Sequence, residues 1–353
     1  GLRGGSARSD ERQNDHKQHN EKQNGAQQSP VPQQDVAVML YPFRHRPLHG
    51  EILRYEISLR YYVTQLAKAR SPYAFHTIGS LMCVNGLHYA KVRGFPKRKA
   101  AEDFYMLNKL AKTGAVLQLQ SPIVTLDSRL SHRVPFGTGA MMTKLHDVQS
   151  LSSQANSAPE SSPLMFYQPA VFQALREWLE CIDALWPPIN SSQVPDNPYE
   201  GPPDKGPPDN ETPNSTQDPS HDLEYWFTNS PWQGAPWIEC LLEMGLGKTL
   251  QQAYRQSRDR HHFQRYMWTW FDAFRTLKLV HYLRDHHYPS LTISQLWQAL
   301  KPSNTWSRSP NGGNDVPSNA ADQREPEMLR LKQMNQWLCE LETSLPPMVG
   351  PTL

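Results

Sequence analysis

The chain has 353 residues, a formal net charge of +2 and 31 prolines, and 38% of its residues are hydrophobic. This length favours two domains, while the proline content and the modest apolar fraction indicate folded regions separated by extended linkers. The sequence contains no run of about 18 apolar residues, which excludes a classical transmembrane helix. We therefore expect no membrane partner.

The four cysteines are far apart, and none forms a CxxC pair: Cys83, Cys181, Cys240 and Cys339. Their spacing argues against a zinc ribbon and against a small disulfide framework, and it favours a reducing, intracellular compartment. His281 and Asp285 have the spacing of metal ligands but lack the context of a metal motif. No Ser/His/Asp, Cys/His or paired-carboxylate arrangement stands out. We therefore expect a non-enzymatic protein without metal or cofactor.

Composition divides the chain into apolar regions and polar gaps. Polar, Gln- and Asn-rich sequence cannot bury a core and is typical of disorder, while Pro-rich sequence is typical of semi-extended linkers. The predicted regions are a disordered tail (1–35), an α/β domain (36–146), a linker (147–165), a helix (166–186) that Pro169 opens, a Pro-rich linker (187–220) and a helical C-terminal region (221–345) with a disordered loop near 302–323.

The C-terminal region contains a stripe of aromatic residues near helical spacing. These residues alternate with cations, and the stripe comprises Phe263, Tyr266, Trp270, Phe274, Leu277 and Tyr282, interleaved with Arg265, Arg275 and Lys278. Such a stripe suits a helix–helix core, and it also suits stacking on nucleic-acid bases. Further along, Thr292 and Gln295 have the spacing of a helix capping box.

The segment EMGLGKT, residues 243–249, resembles the ATP-binding loop of the ATP-dependent nucleic-acid translocases. A working phosphate loop follows a strand, whereas the sequence before this segment suits a short helix. No acidic strand end for Mg²⁺ follows it. We therefore predict a helix over 236–244, a left-handed glycine at Gly245 or Gly247, and a helix over 248–258. A fragment of a helicase or translocase remains a minor alternative.

The most informative stretch is residues 76–112. It contains two short strand-like runs joined by Asn85 and Gly86, a strong signal for a two-residue hairpin. Gly94 ends the second run, and a helix is predicted over 97–112. A further helix is predicted upstream, over 59–70.

Cations occupy the first turn of the helix predicted over 97–112: Lys97, Arg98 and Lys99. A helix N-terminus already carries partial positive charge, so cations there are mildly unfavourable unless an external anion binds. The free backbone amides, the helix dipole and the three cations would together form a phosphate-binding end.

Over about residues 58–113 this pattern resembles the double-stranded-RNA-binding domain, with an Asn-Gly turn, a glycine and a basic box at the start of the last helix. Ala101 and Pro96 depart from the family's box. The resemblance implies an α-β-β(-β)-α domain that reads duplex RNA by shape. Together with the mostly helical C-terminal region, which the sequence pattern predicts separately, the expected fold class is α+β. It also implies roles for individual residues: Lys97 and Arg98 on phosphates with Lys99 beside them, Gln65 or Lys68 over a minor groove, and His76 in the loop contact.

These features predict an RNA-binding or ribonucleoprotein-assembly protein whose partners are structured or double-stranded RNA and other proteins of the complex. The near-neutral charge favours work inside an assembly over tight binding by the free chain. The chain begins at Gly1, so a processed mature form or a fragment is expected, and processing would favour the mitochondrial matrix over nucleus or cytoplasm. The alternative is a protein–protein adaptor with the same fold that never contacts RNA.

Overall fold

The computed structural model describes residues 36–98, 100–128, 139–141, 143–144, 164–186, 232–300 and 327–345. The predicted tail, the Pro-rich linker and the predicted loop near 302–323 lie outside these residues. Within them the protein is mixed α/β and about 60% helical. No helix of the described ranges combines the length and the apolar character that crossing a bilayer requires.

Five short strands form two small sheets. They are β1 (Val36–Leu40), β2 (Phe43–Arg46), β3 (Met82–Val84), β4 (Ala115–Gln118) and β5 (Val124–Asp127). β1 is the central strand of the first sheet, antiparallel to β3 and parallel to β4. β2 and β5 form a separate parallel pair. The double-stranded-RNA-binding family has three antiparallel strands, so its specific arrangement is not confirmed.

The helices cover most of the remaining described chain. They are α1 (Gly50–Lys68), α2 (Gly86–Lys91), α3 (Glu102–Leu110), α4 (Pro169–Ala184), α5 (Ile238–Glu243), α6 (Leu246–Gln256), α7 (Arg260–Trp270), α8 (Ala273–His286), α9 (Ile293–Leu300) and α10 (Glu327–Ser344). The helix predicted over 166–186 is confirmed as α4, with Pro169 in its first turn. The capping box is also confirmed: the Thr292 amide donates to Gln295 Oε1 at 2.8 Å, and the Gln295 amide donates to Thr292 Oγ1 at 3.3 Å.

The predicted hairpin at Asn85-Gly86 is wrong. Asn85 has extended backbone angles, φ −67° and ψ 129°, and its side chain accepts a hydrogen bond from the Leu87 amide at 2.9 Å. It therefore caps α2, because Asn is as good a helix N-cap as it is a turn residue. The strand before it, β3, pairs with β1 and not with the residues that follow.

Two hydrophobic clusters hold the described chain together, and they do not follow the predicted domain boundary. The larger cluster contains α1 together with α4 and the C-terminal helices, and the rings of Trp178 and Trp237 meet at its centre, 5.3 Å apart. The smaller cluster lies between β1 and α3. The predicted domain 36–146 thus shares its long helix with the helical region, because α1 buries apolar residues that only those helices cover.

A buried ion network joins α1 to the C-terminal helix α10. Arg60 donates to Glu56 Oε1 from Nη2 at 2.8 Å and to the Phe43 carbonyl at 2.6 Å, and it also pairs with Glu342 of α10. His45 lies 3.0 Å from the other oxygen of Glu56. Burial by itself raises the pKa of Glu56, but His45, Arg60 and Asn335 outweigh it and hold that pKa at about 2.

Candidate nucleic-acid interface

The site begins at α2, which is anchored by its one buried polar residue. His88 is buried, and its Nδ1 lies 2.9 Å from Thr113 Oγ1, next to the end of α3. α2 ends at Lys91, and Gly94 follows with a φ of +69°, which lies in the left-handed region. A Cβ on Gly94 would come within 2.9 Å of the Tyr89 hydroxyl, so the glycine lets this ring lie against the chain. Tyr89 in turn meets Phe95 edge to face, with ring centroids 6.2 Å apart.

The basic residues after Gly94 do not open a helix, contrary to the prediction over 97–112. α3 begins at Glu102, and Ala101 before it has φ +60°, which interrupts the helical path. The first turn of α3 therefore carries Glu102 and Asp103, the charge that a helix N-terminus favours. Lys97 and Arg98 are exposed in the non-helical segment that leads into α3. The predicted phosphate-binding helix end is therefore absent from this place.

Arg98 instead stacks on an aromatic ring. Its guanidinium carbon lies 3.7 Å from the ring centroid of Tyr105 in α3. The Tyr105 ring lies 6.1 Å from that of Phe274 at an angle of 32°, and Lys278 Nζ lies 5.6 Å from the Phe274 centroid. These four side chains therefore form a continuous stack in the order cation, ring, ring, cation, and the contact between the two rings joins α3 to α8.

We use the term aromatic–cation surface for Tyr89, Phe95, Arg98, Tyr105, Phe274 and Lys278. Three of its rings are well exposed: Tyr89 at 42%, Phe95 at 44% and Phe274 at 39%. Phe95 and Arg98 are only three positions apart, a span of at most about 11 Å of extended chain. The ring pair of α2 and the stacked run of α3 and α8 therefore lie within reach of one ligand.

A cluster of three polar side chains, which we call the polar bracket, fixes α3 against the start of α8. It consists of Asn108, Lys112 and Asp272. The Asp272 side chain, which caps α8, accepts from Asn108 Nδ2 at 3.0 Å and from Lys112 Nζ at 2.6 Å. The Asn108 side-chain oxygen accepts from the Ala273 amide at 3.0 Å. Burial raises the pKa of Asp272, but the hydrogen bonds from Lys112 and Asn108 outweigh it and leave that pKa below its usual range. Tyr105 and Phe274 are thus positioned before any ligand arrives.

Charge is concentrated at this surface. Residues 86–112 contain seven Lys and Arg but only two acidic residues, Glu102 and Asp103, whereas the whole chain has a net charge of +2. One acid and one cation of this range are engaged within the protein: Asp103 Oδ2 accepts from the Gly79 amide at 3.1 Å, and Lys112 Nζ donates to Asp272. The local field therefore favours an anionic ligand although the chain is nearly neutral.

The other residues that the family resemblance implied for RNA lie elsewhere. Gln65 is buried at 5% exposure, so it cannot reach a duplex. Lys68 is exposed at the end of α1 with Nζ 5.6 Å from the Trp337 ring centroid, and burial lowers its pKa. His76 belongs to the buried ion network, with Nε2 2.7 Å from Glu342 Oε1. Lys99 lies outside the described residues. Thus Lys97 and Arg98 lie together, whereas Lys68 and His76 contact α10.

The segment that resembles a phosphate loop lies between two helices. α5 precedes it and α6 follows it, and Gly245 has φ +87° at the junction. Thr249 Oγ1 donates to the Gly245 carbonyl at 3.0 Å within the helix, while Lys248 is exposed. The prediction of two helices around a left-handed glycine is confirmed. Within the described range 232–300 a helix and not a strand leads into the segment, so its backbone amides are not arranged around a phosphate.

Sequence reasoning missed most of the rings at the site. Tyr89 fell in the predicted hairpin, Phe95 lay between that hairpin and the last helix, and Tyr105 was treated as part of the last helix only. Phe274 and Lys278 were noted in the aromatic stripe, for which a helix–helix core and a base-stacking surface were both considered. Phe263 of that stripe is buried in the core, whereas Phe274 is exposed. The signal that was available is the density of Tyr and Phe between the cations of residues 86–112, a pattern typical of base-stacking surfaces.

The arrangement can bind an anion with a flat apolar part, but it holds no paired acid and base and no activated nucleophile. Among the described residues, no group of three or more His, Cys, Asp and Glu side chains converges as metal ligands. Comparison with protein-family models finds no match to this chain. Comparisons with curated proteins and with solved structures find no match either.

Proposed function

We propose that the protein is a non-enzymatic RNA-binding component of a ribonucleoprotein complex, and that it contacts RNA through the aromatic–cation surface. Phosphates would meet Lys97, Arg98 and Lys278, and bases would meet the exposed rings. This proposal keeps the RNA-binding role inferred from the sequence but moves its contacts from α1 and the loop before β3 to α2, α3 and α8.

The observation that carries the proposal is the stacking of Arg98 on Tyr105 inside a run of exposed rings and cations. Protein-binding surfaces also use aromatics, but the excess of cations over residues 86–112 adds a preference for a polyanion. Cations that neutralise phosphates release counterions, which supplies affinity without sequence recognition, and aromatic faces add base contacts.

The small net charge of the chain places a limit on this role. A few phosphate contacts yield only modest affinity at physiological salt, because the electrostatic contribution scales with the number of phosphates neutralised. We therefore propose that the protein works beside other proteins of an assembly, which hold the same RNA and raise its effective concentration at this surface.

One observation favours a second candidate, the protein–protein adaptor. Leu87 is 75% exposed at the start of α2, close in sequence to the exposed rings of Tyr89 and Phe95. An apolar patch with this composition also suits a protein partner. The two candidates differ in salt dependence, because a protein partner held by Leu87 and the rings releases few counterions.

A charge-reversal experiment tests the proposal. Lys97→Glu with Arg98→Glu is compared with Lys248→Glu plus Lys332→Glu, which changes the net charge equally at two exposed positions away from the surface. Binding of a labelled RNA hairpin with an unpaired loop is followed by fluorescence anisotropy over a salt titration. We expect the first variant to lose at least about tenfold in affinity and to have a flatter dependence of log K on log salt, by about 1.5 in slope. Equal affinities and slopes for both double variants would contradict the proposal and favour the adaptor.

A further inference from the structure

We infer that the aromatic–cation surface takes unpaired RNA strands in preference to duplex RNA. This inference rests on the proposed function and narrows its substrate class. It departs from the duplex recognition that the sequence pattern implied, and it follows from which parts of the surface are exposed.

The first argument concerns the rings. Tyr89, Phe95 and Phe274 keep about two fifths of their surface in solvent, although each contacts another aromatic or a cation. In a duplex the faces of the bases are covered by their neighbours in the stack, so aromatic rings have nothing to stack on. In a single strand the bases can separate and lie on such rings.

The second argument concerns the residues that a duplex reader would need. Shape recognition of a duplex requires contacts spread over two successive minor grooves and the phosphates between them. Two of the residues expected for the outer contacts do not serve this purpose, since Gln65 is buried and His76 is paired with Glu342 inside the ion network. The third, Lys68, is exposed but has its Nζ 5.6 Å from the Trp337 ring centroid of α10, and one cation does not span two grooves. What remains is the compact area around α2, α3 and the start of α8.

The third argument is that the surface is already ordered. The Arg98 guanidinium carbon lies 3.7 Å from the Tyr105 ring centroid, which places a planar cation beside the rings. The bracket of Asn108, Asp272 and Lys112 holds α3 against the start of α8, so Tyr105 and Phe274 do not need to be brought together on binding. A strand that binds here pays less ordering entropy than it would on a flexible surface.

The experiment uses one labelled oligoribonucleotide without self-complementarity, alone and annealed to its complement, with the full chain in anisotropy titrations. We expect the single strand to bind at least about tenfold more tightly than the duplex. Phe95→Ala and Phe274→Ala should each weaken single-strand binding by about 5- to 100-fold while leaving the salt dependence unchanged, because they remove stacking and no charge. Leu329→Ala, which truncates an exposed apolar residue of α10, is the control.

The outcomes separate this inference from the proposed function. A duplex bound as tightly as the single strand, with Phe95→Ala without effect, would overturn the inference and leave RNA binding in place. Phe95→Leu tests the stacking itself, because it keeps apolar area but lacks a flat face; single-strand affinity equal to that of the unsubstituted chain would overturn the stacking contact. If neither probe binds, the proposed function fails and the inference fails with it.

Discussion

The buried ion network supports a prediction about how the two ends of the described chain are held together. Arg60 is 5% exposed and contacts Glu56 of its own helix, Glu342 of α10 and the Phe43 carbonyl. Arg60→Met removes the cation that pairs with both the Glu56 and the Glu342 carboxylates. Glu56 keeps His45 and Asn335, and Glu342 keeps His76. Breaking a buried ion pair from one side costs about 3–5 kcal/mol, and the partners that remain place the expected loss at the lower end of that range.

The pKa of Glu56 provides an independent value for how much the ion network contributes to the free energy of unfolding. Its value of about 2 in the folded protein is lower than the ordinary glutamate value of 4.5, which corresponds to roughly 3 kcal/mol of stability from all of its partners together. Because the folded pKa is depressed, this stability is present above pH 4.5 and is lost as pH falls towards 2. In Arg60→Met the carboxylates take up protons at higher pH. The difference in unfolding free energy between the unsubstituted protein and Arg60→Met should therefore narrow as the pH falls from 4.5 towards 2.

The assay is urea unfolding followed by tryptophan fluorescence and by circular dichroism, at neutral pH and near pH 3. The control is Arg176→Met, which removes an exposed arginine that pairs with Glu180 at 2.7 Å on the surface of α4. We expect the control to lose at most about 0.5 kcal/mol. A loss from Arg60→Met that matched the control, or that stayed constant between the two pH values, would refute the reasoning, because the network would then be solvated.

Gly245→Ala should destabilise the protein by about 1 kcal/mol in thermal unfolding because its φ is +87°, whereas Gly86→Ala, in equally open space at the start of α2, should be neutral or slightly stabilising. Equal loss of stability in both variants would contradict this reasoning, because only Gly245 has a positive φ. Asp272→Ala should cost about 2–4 kcal/mol by removing a helix cap and the bracket to α3, checked by the same melting curves. In the native protein a thiol reagent should label the exposed Cys83, while Cys181, whose pKa burial raises, should react only after unfolding, as mass spectrometry can show.

Local features were predicted well because neighbouring residues decide them. The helix at Pro169 follows from an apolar periodicity and a proline in its first turn. The capping box of Thr292 and Gln295 lies at the start of a different helix, α9, and needs only four consecutive residues. Gly245 ends a helix for the same kind of reason. None of these features needs a distant partner, so the residues alone specify them.

Features that depend on a distant partner were not predicted. Asn85-Gly86 suits both a hairpin and a helix cap. Asn85 becomes a helix cap because β3 pairs with β1, a strand more than forty residues earlier, and not with the residues after Gly86. The packing of α1 is of the same kind, since this helix of the predicted 36–146 domain buries apolar residues in one cluster with α4 and α10.

The candidate site divides in the same way. The sequence by itself determined that cations and aromatics are concentrated over residues 86–112 and that their charge exceeds that of the whole chain. Only the tertiary structure decided that Arg98 lies on Tyr105, that Phe274 of α8 continues this run, and that Gln65 is hidden. The reason is physical: composition and short-range periodicity fix local charge and helix formation. Which face stays in water depends on what packs against it, and that is set by residues far away in the chain.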